Sequence, residues 1–311
     1  MPAAHLSRKA AVVLGCLAAL PAAAQQLEPR AYSPAPVGAN FLGVIYSNMS
    51  GGVVTDASLP LQNVNANVNL VSEFYARTFG LLGRSASFTV VVPYAWGEIE
   101  GDVFEEFRRV ERSGFGDVGL RLAINLIGGP ALTPREFTTR TPAGTLGATL
   151  TVLAPTGEYD PSKLINLGAN RWAFKPELGL SKPLGKWYLE LYGGAWLFTT
   201  NDNFFGGQTR EQDQLYVVQG HVIHEFHSRL WIAFDATWYG GGATTVDGVA
   251  NYDRQESTRA GVTLAIPFAR RHSLKLAFAR GTSVRVGSNF DTLSVGWQIL
   301  WLDRSATPAK P

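Results

Sequence analysis

The sequence predicts an all-β fold, a transmembrane antiparallel β-barrel of about 12 strands. Three observations predict it. Apolar and polar residues alternate with period two in segment after segment, the mark of strands with two unlike faces. Short and long connections alternate between those segments. Charged residues make up only 17% of the chain, while Gly reaches 33 residues and Phe, Tyr and Trp 17, 10 and 8. That composition suits tight turns and an apolar exterior, whereas soluble domains carry about 25% charged residues.

The first element is not a strand. Arg8 and Lys9 precede an apolar run from Ala10 to Ala23, and Ala22-Ala23-Ala24 offers a small-residue cleavage site. This is the layout of a signal peptide over 1–24. The run is too short for a membrane helix, which needs roughly 20 apolar residues. Cleavage removes both basic residues of the leader and leaves basic and acidic side chains equal in number, which gives no nucleic-acid footprint. It also removes Cys16, the single cysteine, so the exported chain needs no disulfide. Residues 25–37 are expected to form a periplasmic N-terminal segment, 38–301 the barrel and 302–311 a C-terminal tail.

Twelve candidate strands follow, at about 38–48, 64–78, 85–96, 115–127, 145–155, 170–181, 186–199, 213–226, 229–240, 256–267, 272–280 and 290–301. A tilted membrane strand needs about 9–11 residues. In the fourth, Val118, Leu120, Leu122, Ile124 and Leu126 share one face and Asp117, Gly119, Arg121, Ala123 and Asn125 the other. The ninth, tenth and twelfth repeat the pattern. In the last, Leu293, Val295, Trp297, Ile299 and Trp301 oppose Thr292, Ser294, Gly296 and Gln298.

The connections favour a membrane barrel over a soluble sandwich. Those after strands 2, 6, 8 and 10 are short and the alternate ones are long, as in outer-membrane barrels with short periplasmic turns and longer outer loops. One breaks the rule: 128–144 is long on the short-turn side, with room for a small element of its own. Tyr94, Trp96, Trp172, Trp187, Trp196, Trp231, Trp238 and Trp301 lie near segment ends, as interfacial girdles require.

Motifs that suggest soluble chemistry fail on context. Gly114-Phe-Gly116-Asp-Val-Gly119 has the letters of a dinucleotide fingerprint but is preceded by a charged loop and followed by a strand, not a helix. His221 and His224 are three apart and face opposite ways on a strand, so they do not converge on a metal. His227-Ser228 and His272-Ser273 are adjacent pairs whose members face apart; they keep a lipid-modifying enzyme as an alternative hypothesis. A structural or adhesion barrel is a third. No catalytic residue, metal ligand or cofactor is assigned.

The candidate site is the lumen wall. By strand parity Glu73, Arg77, Asp117, Arg121, Lys175, Glu177, Glu190, Gln219, His221, Asp235, Arg259, Lys275 and Gln298 are expected to point inward. Charges of both signs there read either as a polar passage for small solutes or as a salt-bridged interior that closes the barrel.

Three stretches carry a resemblance: Gly114-Phe-Gly116-Asp117-Val118-Gly119, Ala154-Pro155-Thr156-Gly157-Glu158-Tyr159, and Asn166-Leu-Gly168-Ala-Asn170-Arg-Trp172-Ala-Phe174-Lys-Pro176, followed by Gly185-Lys-Trp187. With these the chain resembles the outer-membrane family named for the meta-cleavage pathway of phenol degradation. The resemblance spans about residues 38 to 301 and implies a barrel that transports aromatic or other hydrophobic compounds. Ser294-Val-Gly296-Trp-Gln-Ile299-Leu-Trp301 also resembles the C-terminal assembly signal of outer-membrane barrels. The implied partners are membrane lipids, the barrel-assembly machinery and a small solute, at the bacterial outer membrane.

Overall fold

The computed structural model describes residues 27–54, 61–103, 106–163, 165–226 and 229–303. Residues 1–26, which include Cys16 and the expected signal peptide, the pair His227–Ser228 and the residues beyond Asp303 lie outside the described residues.

In chain order the strands are β1 (Ala39–Val54), β2 (Leu61–Leu81), β3 (Arg84–Val103), β4 (Glu106–Phe115), β5 (Val118–Ile127), β6 (Thr145–Ala154), β7 (Ala173–Leu184), β8 (Trp187–Phe198), β9 (Asn201–Phe204), β10 (Gln208–Gln212), β11 (Leu215–Glu225), β12 (Trp231–Gly241), β13 (Thr244–Val246), β14 (Val249–Ala250), β15 (Gln255–Pro267), β16 (His272–Val284) and β17 (Gly287–Leu302). Each long strand pairs antiparallel with its chain neighbour, and β1 pairs with β17 from Ala39↔Leu302 to Val54↔Gly287. The sheet is therefore a closed cylinder of twelve strands, with no edge left for lipid to meet. β4 and β5 form one interrupted strand: β4 pairs with the outer half of β3 and β5 with its inner half. β9, β10, β13 and β14 make a separate small sheet in the long loops.

Local chemistry sets the turns at one end. Leu82 and Gly83 both take positive φ, 50° and 74°, as a two-residue turn between right-twisted strands demands. The long connection at the same end carries α1 (Pro134–Thr139), started by a capping box in which Thr133 and Glu136 satisfy each other's backbone N–H.

The outer face is a ring of exposed large apolar side chains, including Leu178, Leu191, Phe234, Phe278 and Leu293. Tyr46, Tyr94 and Trp96 cluster toward the long-loop end, and Tyr75 with Trp301 toward the other. Two tryptophans expected in the girdles face inward instead. Trp196 is buried in the lumen, and Trp231 lies under the Arg30 guanidinium.

The parity expected for β2 is reversed. Ala66, Val68, Leu70, Ser72 and Thr78 are buried on its inner face, so Glu73 and Arg77 point outward. Glu73 stands opposite Val44 and Val92 on the lipid side, and Arg77 pairs with Asp303 at 2.7 Å. The physical reason is that the inner face of β2 lines an apolar part of the lumen, so polarity did not mark the inside.

Candidate functional site

The lumen is filled at its short-turn end by the chain's own N-terminal segment. This corrects the expectation of a periplasmic segment over 25–37: Leu27–Val37 runs inside the barrel. The reason is electrostatic and steric. Arg121 donates to the Glu28 carboxylate at 2.7 Å. The Arg30 amide donates to Glu190 at 2.7 Å, and its guanidinium to Glu225 at 2.9 Å while stacking over Tyr188. The Tyr32 hydroxyl lies 2.9 Å from both Thr149 Oγ1 and Glu177 Oε1. Its ring packs edge-on against Tyr192 and occupies a slot made by Gly147 and Gly179, which are paired across β6 and β7. The segment leaves through the short-turn end, where the Val37 amide donates to Leu132 O at 2.9 Å and the Gly38 amide to Thr78 O at 3.0 Å.

Most of the other candidate wall residues form pairs around this segment. Lys175 meets Glu177 at 3.0 Å. Ser181 donates to Glu190 at 2.8 Å, and Tyr192 donates to its second oxygen. His221 Nδ1 and Asp235 Oδ1 are 2.6 Å apart, and Thr263 donates to the other Asp235 oxygen at 2.8 Å. Arg259 donates to Phe290 O and Thr292 Oγ1. Gln219 is buried on the inner face of β11; Lys275 and Gln298 sit half-buried on the inner faces of β16 and β17. Buried charges persist when each finds an opposite charge or dipole, and removing one partner of such a pair costs about 3–5 kcal/mol.

Beyond the segment, toward the long loops, lies a cavity of about 300 Å³. Its floor is Glu28, Arg121 and Lys175; its walls include Met49, Val68, Ile99, Leu167 and Leu215. Several of these walls belong to one buried apolar cluster that includes Phe290. The chamber has the character of a small-molecule site: concave, mostly apolar, with a few polar groups.

The motif stretches converge at the chamber's outer rim. Asp117 sits at the break between β4 and β5, and its two carboxylate oxygens each accept an amide at 2.9 Å, from Gly157 and Ala169. The Glu158 amide donates to Phe115 O at 2.8 Å, and the Gly168 amide to Glu158 O at 2.9 Å. Gly157 touches Gly116 and Gly168 so closely that no β-carbon fits there. The dinucleotide-like letters are thus a loop clamp. It holds the 155–172 loop against the barrel and sets Ile165, Leu167 and Arg171 on the chamber.

The histidines do not gather. His221 is in the lumen, and His224 packs between Trp187 and Phe226 on the opposite face of β11. His272 stacks near Trp297, while the neighbouring Ser273 lies on the other face of β16. Among the described residues no three His, Cys, Asp or Glu side chains are placed to share a metal. Sequence reasoning missed Glu28, Arg30, Tyr32, Arg171 and the inward Trp196. The first three precede the barrel, where no strand period marks them, and only their own charge and aromatic character offered a signal.

A closed twelve-stranded cylinder with an apolar belt, aromatic girdles and a charged interior defines a transmembrane β-barrel of the outer-membrane type. The family model described as "Putative MetA-pathway of phenol degradation" matches residues 46–299, and the chain belongs to that family. Among solved structures, an outer membrane channel from Pseudomonas putida F1 is similar with a TM-score of 0.73 and 24% identity, over 89% of this chain and 100% of that one. The β domain of the Bordetella autotransporter BrkA gives a TM-score of 0.50 at 11% identity, over 85% and 100% of the two chains. The transport unit of the autotransporter AIDA-I from Escherichia coli gives 0.50 at 9%, over 94% and 97%. No curated protein matches the chain.

Proposed function

We propose that this protein is a bacterial outer-membrane channel for small apolar solutes, aromatic ones among them, taken up from the long-loop side. The observation that carries the reading is the division of the lumen. An apolar chamber faces the outer loops, and the N-terminal segment occupies the path below it. A wide aqueous pore would have polar walls throughout. Here an apolar solute gains burial in the chamber at roughly 25 cal/mol per Å², while a hydrated sugar would lose water along the apolar walls without replacement. The channel in Pseudomonas putida F1 supports the same class by likeness of fold. The final strand, with Gly296 and Trp301, supports delivery to the membrane by the barrel-assembly machinery.

The test uses N-phenylnaphthylamine, an apolar dye that intact outer membranes retard. Cells expressing the protein should take it up several-fold faster than cells expressing an empty vector. Purified protein in liposomes should give only slow swelling with arabinose. Fast arabinose flux without faster dye entry would replace the apolar channel with a porin for hydrophilic solutes.

A further inference from the structure

Among the described residues, the chamber holds buried hydrogen-bond donors that lack acceptors. Arg171 is 5% exposed; one amino group of its guanidinium donates to Gln212 and its Nη1 meets no acceptor. Trp196 is 2% exposed and its indole Nε1 is likewise unmet. At the floor, Arg121 gives Nη1 to Glu28 and leaves Nη2 without an acceptor. All three side chains line the cavity. The buried polar atoms that lack a donor, such as Gln219 Oε1 and Gln208 Oε1, belong to residues that do not line it. The deficit in the chamber is therefore one-sided: it lacks acceptors.

Charge points the same way. Arg112, Arg121, Arg171, Lys175 and Arg210 line the chamber with Glu28, Asp117 and Asp253; Arg121 is paired with Glu28 and Lys175 with Glu177, whereas Arg171 makes no ion pair among the described residues. The three lining carboxylates are engaged: Glu28 by Arg121, Asp117 by two backbone amides, Asp253 by the amide and hydroxyl of Thr244. Arg171 stacks over the Phe198 ring at 4.4 Å, which fixes the plane of its guanidinium. A guanidinium matches a carboxylate, and Nη1 is the amino group of Arg171 left to donate to one.

Resting on the proposed reading of the chamber as the solute site, we infer that its preferred solute is an amphipathic anion. The solute is an aromatic or aliphatic carboxylate, with its apolar body along Met49, Ile99 and Leu215 and its carboxylate on Arg171. Trp196 Nε1 supplies a neutral donor lower in the same chamber.

The experiment uses the full chain in nanodiscs, with protein-free nanodiscs as the blank, and three probes of one shape: 2-naphthoate, 2-methylnaphthalene and 2-naphthylmethylammonium. Equilibrium dialysis at pH 7.5 should show naphthoate binding at least tenfold more tightly than either of the others. Arg171→Gln should remove that preference, so that the variant binds naphthoate no more tightly than methylnaphthalene. Arg171→Lys should keep part of it, and Trp196→Phe should weaken naphthoate alone by a few-fold. Heat-modified gel migration checks that each variant is a folded barrel. If Arg171→Gln fails that check, the wild-type ranking and the Trp196→Phe result decide. Methylnaphthalene binding as tightly as naphthoate, or the ammonium binding best, overturns the anion and leaves the apolar chamber standing. Binding of none of the three removes both readings.

Discussion

Tyr32 lies in a slot that exists because residue 179 is glycine. A β-carbon on Gly179 would fall inside the van der Waals envelope of the Tyr32 ring, and one on the paired Gly147 would strike the other edge. The wall of the barrel is thus shaped for the segment that fills it, and the contact joins residues far apart in sequence. Glycine inside a strand gives up packing and β-propensity, so it is kept where another group must approach closely.

A side chain at that slot should evict the segment. Gly179→Leu is expected to push Tyr32 from Thr149 and Glu177, because overpacking a filled site costs about 1–3 kcal/mol. The barrel itself should survive, since β6 and β7 keep their ladder. Single-channel recording should show a conductance several-fold above wild type. Tyr32→Ala, which vacates the slot without touching the wall, should move conductance the same way by less, because Glu28 and Arg30 remain anchored.

The polar anchors make a separate prediction. Arg30 reaches Glu225 with its guanidinium and Glu190 with its backbone, so Arg30→Ala removes the first tie and keeps the second. Deleting residues 27–35 removes both, together with the Glu28–Arg121 pair. Conductance should rise in the order wild type, Arg30→Ala, deletion. The deletion should also lower thermal stability, because Arg121, Glu190 and Glu177 each lose a partner inside the barrel. Equal conductance in all three would show that the segment does not obstruct the path.

Strand number and closure were legible in the sequence because one face of each strand had to meet lipid, whereas the charged stretch before Gly114, expected as a loop, is β4. The alternation around Leu120 and Leu122, or Leu293 and Val295, left no other arrangement. The inner face was legible only where it is polar, as at Glu190, His221 and Asp235. On β2 it is Ala66, Val68, Leu70 and Ser72, apolar and small because it lines the chamber, so Glu73 and Arg77 looked like the lumen side. The N-terminal segment was invisible for a different reason. Its ties to Arg121, Thr149, Glu177 and Glu190 are contacts between distant residues, and period-two reasoning describes only neighbours on one strand.

The outward placement of Glu73 gives a stability prediction opposite to the usual one for removing a charge. Its neighbours across both ladders are Val44 and Val92, and Val71 precedes it on the same face. Acidic residues on the lipid face destabilise a barrel, by less than the roughly 2–4 kcal/mol seen for Arg or Lys at the midplane. Glu73→Leu should therefore stabilise the folded barrel by about 1 kcal/mol in urea titrations of folding into lipid vesicles. A destabilisation of that size would place the carboxylate against a partner rather than hydrocarbon.

Asp117 distinguishes a structural motif from a binding one. Both of its oxygens are spent on Gly157 and Ala169, so Asp117→Ala leaves two amides at the barrel rim without their acceptor. Hydrogen bonds to charged groups are worth about 1.5–3 kcal/mol each, yet these tie down a loop rather than the cylinder. The 155–172 loop should then open locally: limited proteolysis should cut it many times faster while the barrel keeps its heat-modified migration. Asp117→Asn retains one carbonyl acceptor and should fall between the two. Because the loop carries Ile165, Leu167 and Arg171 onto the chamber, loosening it should weaken naphthoate and methylnaphthalene alike. Loss of naphthoate binding alone, with the loop still resistant to protease, would instead mean that the carboxylate of Asp117 acts on the ligand through Arg171.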